Sequence, residues 1–306
     1  MRLASIVSKS GADASGSDSG APTIAAAVVL NGEEFALDFS VACPTLPRGM
    51  CRFLAAGPEA LDQARRVVEQ AEAGRHGDAL VPISDVRWLP VVPKPQKLLA
   101  IGLNYAAHAE ETGRKPPEFP TVFNKQVSCL NAHLGDIVMP RESTALDYEG
   151  ELAFVIGKRC RRVPREQAKD VIAGYTICND VSVRDWQRRS PTMIMGKGWD
   201  THGPLGPWLV TADRVPDPHD LRLRTMVDDE VRQEGHTADL VFDCYELVEI
   251  LSTAFTLFPG DVVATGTPSG VGVAHDPPRF LEIGSRVRIE IDGIGALENF
   301  VIQDLL

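Results

Sequence analysis

From Leu98 onward the chain is a succession of short apolar segments broken by turn residues. LLAIGLNY, ELAFVIG, YTICNDVSV, GPWLVTA, LRLRTMVDDE, DVVATGT and RVRIEIDGIGALENFV are rich in β-branched residues or alternate apolar with polar. That is the pattern of strands. Only REQAKDVIAG, near 165–174, and FDCYELVEILSTAF, near 242–255, carry a helical period in this part. A doubly wound parallel sheet needs a helix after nearly every strand. The expectation is therefore an α+β fold dominated by β.

The first ninety residues read differently. TIAAAVVL, NGEE and FALDF form two apolar runs around Asn31-Gly32, a strong hairpin signal. PEALDQARRVVEQAEA, at 58–73, reads as a helix, with Pro58 in its first turn, apolar residues at Leu61, Ala64, Val67 and Val68, and Gly74 as its stop. Pro90, Pro93 and Pro95 then mark an extended linker. This places a small N-terminal α/β domain at 1–92 and a catalytic domain at 93–306. Residues 8–22 are rich in Ser, Gly and Ala and read as a flexible arm.

The net charge of −11 argues against nucleic-acid binding, which needs a basic face. An anionic substrate remains compatible if positive charge is concentrated locally or a metal ion supplies it. Six scattered cysteines form no CxxC pair and no zinc spacing, which fits free thiols in a reducing cytoplasm. The apolar stretch Ile24–Leu30 falls far short of the ~20 residues that a membrane-spanning helix needs.

Five segments carry candidate chemistry. In LDYEGELAFVIG, Glu149 and Glu151 are two apart, so on a strand they share a face. Such a pair repels itself unless a cation intervenes; the same alternation would equally point both into water. Asp180, in YTICNDVSVRDWQ, ends an apolar stretch, and a strand–helix–strand return would bring it beside the pair. Three oxygen ligands suit a hard cation, Mg2+ or Mn2+. His108 and Glu111, in GLNYAAHAEETG, would meet on one helical turn, where the carboxylate fixes the imidazole as a general base. Lys197 lies in a glycine-dense loop, where it reads either as an ordinary loop lysine or as a cation to neutralise charge developing on a substrate oxygen. TGTPSGVGV, at 265–273, lacks the GxGxxG spacing and reads as a tight turn presenting Thr267 to a ligand.

In order and spacing, NYAAHAEE, FNK, LDYEGELAFVIG, NDVSVRDWQ, GKGWDTHGPLGPW and PGDVVATGTPSGVG resemble the fumarylacetoacetate hydrolase family, from about Val92 to Val301. The resemblance implies a mixed β-roll with a small N-terminal domain, usually dimeric. It also implies Mg2+ or Mn2+ on Glu149, Glu151 and Asp180, and water activation by His108 with Glu111. Lys197 would stabilise an oxyanion, with Thr201 supporting it. Arg184, Gln187, Thr267 and Lys125 would face substrate. The hydrolase that names the family has a further metal carboxylate upstream of the histidine; Leu99–Asn104 offers none, so a water would replace it. Trp199 and His202 stand where many members carry smaller or apolar residues.

A 2-oxo acid chelated through its carboxylate and keto oxygens would react through a metal-bound enolate. The expected reaction is hydrolysis of a C–C bond in an acylpyruvate-type 2,4-dioxo acid. Isomerisation or hydration of an unsaturated 2-oxo diacid, and decarboxylation of oxaloacetate, are the alternatives on the same site.

Overall fold

The computed structural model describes residues 1–7 and 22–305, so the arm read at 8–22 lies, apart from Pro22, outside the described residues. Among the described residues, one sheet runs in the order Leu80–Pro82, Glu33–Asp38, Pro22–Leu30, Arg2–Val7, Gly203–Thr211, Ile172–Asn179, Gly150–Ile156, Val262–Ala264, Leu98–Gly102 and Thr121–Asn124. Arg87–Trp88 and Leu130–Asn131 pair at its flanks. A second, five-stranded sheet runs Glu230–His236, Arg222–Val227, Arg286–Ile291, Gly295–Gln303 and Asp136–Met139. This is a strand-rich α+β fold, as the segment pattern predicts.

The strand Gly150–Ile156 explains the architecture. All seven of its residues are buried. Leu152, Phe154 and Ile156 join the core formed with Leu223, Ile289 and Leu297 of the second sheet. Ala153 and Val155 face the opposite way, into a core with Phe53, Leu54, Ala64 and Val67. The last two of these belong to the helix Pro58–Glu72. A strand covered on both faces needs a continuous apolar run, and ELAFVI supplies one after its first residue. Each such Leu, Ile, Val or Phe side chain contributes about 1.5–3 kcal/mol by leaving water.

The N-terminal hairpin turns at Asn31 and Gly32, both at positive φ. Arg2–Val7 then pairs antiparallel with Gly203–Thr211, with Arg2 opposite Val210 and Leu3 opposite Leu209. Hydrogen bonding therefore runs unbroken from the N-terminal strands to the strands that carry the acidic residues.

The helix expected near 165–174 is shorter than its sequence period suggests. Only a 3-10 turn forms, at Arg165–Asp170. Ile172 and Gly174 instead pair with Ile156 and Val155, so the sheet ladder overrides local helix preference. The later helix, Cys244–Ala254, is capped by Asp243, which accepts from the Tyr245 and Glu246 N–H groups at 2.9 Å each. No helix among the described residues is long and apolar enough to cross a membrane.

Candidate functional site

The acidic residues meet because two neighbouring strands bring the same end to one place. Gly150 lies opposite Asn179 in the antiparallel pair. Glu149 therefore precedes one strand where Asp180 follows the other. The Asp180 N–H donates to the Glu149 carbonyl at 2.9 Å, and the Glu149 N–H donates to Asn179 Oδ1 at 3.1 Å. One carboxylate oxygen from each of Glu149, Glu151 and Asp180 lies within 4.8 Å of the other two, and all three residues are buried.

Buried cations surround part of this cluster. Lys197 Nζ contacts Glu149 Oε2 at 2.7 Å and Asp180 Oδ2 at 2.8 Å. Its sequence reads as loop, yet Lys197 closes a helical turn, Ile194–Lys197, and is only 2% exposed. Arg184 Nη1 reaches Glu149 Oε1 at 2.6 Å. Burial opposes charge on Glu149, but Lys197 and Arg184 outweigh it and hold its carboxyl well below the usual range. Glu151 is in the opposite situation. Burial, then Asp180 and Glu149, push its carboxyl well above the usual range, and among the described residues it has no ion-pair partner. Its one strong donor is the Gly266 N–H, at 2.8 Å.

The imidazole and its carboxylate also meet as expected. His108 and Glu111 lie on the helix Ala106–Glu111, with Nδ1 2.7 Å from Glu111 Oε1. This pairing leaves Nε2 as the ring's other nitrogen for proton transfer. Glu111 Oε2 accepts from the Gly270 N–H at 2.8 Å. The glycine-rich segment 266–273 therefore gives its amides to the protein's own acids. Gly266 serves Glu151, Gly270 serves Glu111, and Gly272 and Val273 both serve Asp147. At Gly270, φ is +104° and an added Cβ would lie 2.0 Å from the Arg232 carbonyl oxygen, so no side chain fits there.

Other sequence-predicted residues fall at varied distances from this centre. Arg184, Gln187 and Thr267 line one cavity of roughly 770 Å3 with His108, Glu149 and Lys197. Gln187 accepts from Arg184 Nη1 at 3.1 Å. The Thr267 hydroxyl donates to the Gly150 carbonyl at 3.0 Å and accepts from Gln233 at 2.8 Å, so it braces the acidic strand. Lys125 corrects the expectation of a wall residue. It is buried behind the carboxylates and bonds Asp180 Oδ1 at 2.6 Å and the Lys197 carbonyl. The edge strand Thr121–Asn124 delivers it there, and the Lys125 N–H is tied to the Leu98 carbonyl. Thr201 accepts from the Val138 N–H at 2.9 Å and makes no hydrogen bond to Lys197; it pins its loop to the second sheet.

His202 also lies away from the cavity. Its Nε2 donates to the Val138 carbonyl at 2.9 Å, while Nδ1 is buried without a partner. Burial pushes its pKa down to about 4. The unfolded chain takes up this proton first, so stability is lost as pH falls from about 6.5 towards about 4. Against wild type, His202→Gln is expected to recover about 2 kcal/mol at pH 5 and almost nothing at pH 7. Urea midpoints at the two pH values test this; equal changes at both would refute it.

The sequence reading did not single out Asp147, Gln233 or Asn104. Asp147 is fully buried and bonds Arg184 Nε at 2.7 Å. Gln233 donates to Thr267 and accepts from the Gly150 N–H at 3.0 Å. Asn104 clamps three backbone groups, those of Phe242 and the Thr265 carbonyl. For Asp147 a signal existed. It continues the i, i+2 alternation of Glu149 and Glu151.

Four buried carboxylates, Asp147, Glu149, Glu151 and Asp180, face three buried cations, Lys125, Arg184 and Lys197. One negative charge is left over, and Glu151 is the acid without an ion pair. A hard divalent cation on Glu149, Glu151 and Asp180 would offset that charge and leave one positive charge to meet an anionic substrate, so the donor set fits the group.

Residues 97–302 match the family model for the fumarylacetoacetate (FAA) hydrolase C-terminal domain. The chain belongs to the fumarylacetoacetate hydrolase family. Within it, the chain is 42% identical over 262 residues to the oxaloacetate tautomerase YisK of Bacillus subtilis, covering 83% of this chain and 87% of that protein. It is 40% identical over 268 residues to the mitochondrial oxaloacetate tautomerase FAHD2A of Bos taurus, covering 87% and 83%. A fumarylacetoacetate hydrolase-type fold is also evident in similarity to the crystal structure of maleylpyruvate hydrolase from Sphingobium sp. SYK-6 in complex with manganese(II) and pyruvate. That match has a TM-score of 0.75 and 32% identity over 99% of each chain.

Proposed function

We propose that this family member catalyses keto–enol tautomerisation of a short 2-oxo diacid of the oxaloacetate type. The observation that carries the reading is the pairing of His108 with Glu111 on the wall of the same cavity as Lys197 and Glu149. The two tautomerase relatives, at about 40% identity over most of both chains, support it.

Glu149, Glu151 and Asp180 would hold Mg2+ or Mn2+. When bound, such an ion supplies Lewis-acid polarisation of a keto oxygen. The chain's own groups do the rest. Lys197 presents a buried ammonium to negative charge developing on substrate oxygen. Arg184 orients a carboxylate, itself held by Asp147. His108, aligned by Glu111, takes a proton from the carbon beside the keto group and delivers it to the keto oxygen to give the enol; the reverse transfer, from enol oxygen to carbon, restores the ketone. Tautomerisation needs no water, only a base and a charge-stabilising group on one cavity wall, which His108 and Lys197 supply.

C–C bond hydrolysis is the second reading, favoured by the likeness to the maleylpyruvate hydrolase. There the same imidazole would activate water instead of a C–H bond. The deciding experiment follows enol–keto conversion of oxaloacetate and cleavage of acetylpyruvate with Mg2+, with Mn2+ and with chelator. Chelator-sensitive tautomerisation without pyruvate release supports the first reading. Chelator-sensitive cleavage of acetylpyruvate, with no tautomerisation above background, overturns it in favour of hydrolysis.

A further inference from the structure

We propose that Arg188 and Arg114 form an outer carboxylate subsite that makes the cavity select 2-oxo acids with a second, distal carboxylate. The inference rests on the reading of this cavity as a 2-oxo acid site and names what the substrate must carry at its far end.

The chain has a net charge of −11, yet the cavity wall carries Arg114, Arg184, Arg188 and Lys197 against one carboxylate, Glu149. The inner two cations are engaged. Arg184 pairs with Asp147 and Glu149, and Lys197 with Glu149 and Asp180. The outer two form no ion pair and no side-chain hydrogen bond among the described residues, and both are exposed. Like-charged arginines on a concave wall with no acid in ion-pair contact among the described residues create a field that an anion would relieve.

Their backbones are fixed on two separate elements that line the same cavity. The Arg188 N–H donates to the Arg184 carbonyl at 3.3 Å, one helical turn further on, so the two side chains lie on one face. Arg184 marks the inner end of the cavity and Arg188 the next step outward. Arg114 follows the helix that carries His108. Gly113, at φ +70°, lets the Gly113 N–H bond the Glu110 carbonyl at 2.9 Å and the Arg114 N–H bond the Ala109 carbonyl at 2.8 Å. This closure ties Arg114 to the His108 helix. The cavity they line, roughly 770 Å3, has ample volume for a short dicarboxylate. The guanidinium fork matches a carboxylate in two-point geometry, which an ammonium does not.

The test compares two acids of equal carbon count, 2-oxoglutarate and 2-oxopentanoate, which differ in a terminal carboxylate against a methyl group. Their affinities for the Mg2+-supplemented protein are measured by calorimetry for wild type, Arg188→Gln, Arg114→Gln and the double variant. Wild type is expected to prefer the diacid, each single change to weaken diacid binding about tenfold, and the double variant to bind both acids alike. Monoacid affinity serves as the control for intact folding. A diacid preference that survives in the double variant, or no preference in wild type, overturns the subsite. Binding of neither acid by wild type overturns the 2-oxo acid reading itself, and the subsite with it.

Discussion

Glu151→Gln is expected to raise the melting temperature of the chelator-stripped protein while abolishing metal-dependent turnover. Glu151 is 1% exposed, lacks an ion-pair partner and is crowded by Asp180 and Glu149. The amide has the same shape. Its oxygen still accepts from the Gly266 N–H, and its new NH2 faces carboxylates instead of adding to them. Relief of that repulsion is worth about 1–2 kcal/mol, or some 2–4 °C for a chain of this size. The loss on the other side is larger. Removing one of three candidate oxygen ligands is expected to reduce turnover by at least ~10^3 and to erase the Mg2+-induced rise in Tm. In wild type the stabilisation behind that rise should approach ~2.7 kcal/mol at a hundredfold excess over Kd. Thermal melts with chelator and with Mg2+ separate the two effects. A lower Tm in chelator together with an undiminished Mg2+ shift would show that Glu151 is a structural acid only.

His108→Asn should give the opposite combination, with the metal response kept and proton transfer lost. His108 is 7% exposed and its ring contacts Glu111, outside the carboxylate cluster. Positioned general bases contribute typically ~10^2–10^4, so kcat should fall by that factor. The Mg2+-induced shift in Tm should remain within experimental error of wild type. Glu111→Gln should act through the same imidazole. It keeps a side chain of the same size beside Gly270 but weakens the bond that fixes the ring, so kcat falls less than in His108→Asn. If His108→Asn retained full kcat, the proton would have to move through another group, and the tautomerase reading would lose its base.

Much of this site was legible because its residues sit at fixed offsets on regular elements. Glu149 and Glu151 follow the period of a strand, and His108 and Glu111 that of a helical turn. The position of Asp180 followed from the expectation of a return strand, although the intervening helix proved to be a short 3-10 turn. What could not be read was long-range bonding. Lys125 is 55 residues from Asp180 in sequence, and only the edge strand carries it behind the cluster. In sequence 266–273 reads only as a tight turn presenting Thr267, because nothing local shows that its amides bond three distant acids. The strand Arg2–Val7 also escaped notice, since six residues with no turn partner nearby announce little by themselves.

The pairing of Gly150 with Asn179 has a consequence for how this chain tolerates change. The carboxylates are keyed to a ladder register between two strands that are buried on both faces. One inserted or deleted residue within 150–156 would turn Glu151 into one core and push Leu152 towards the site. The segments bearing Arg114 and Arg188 lie outside that ladder and can lengthen, shorten or exchange residues without disturbing it. Such a division leaves the reacting end of the molecule nearly immutable and makes the far wall the part on which new substrate ranges can be tried.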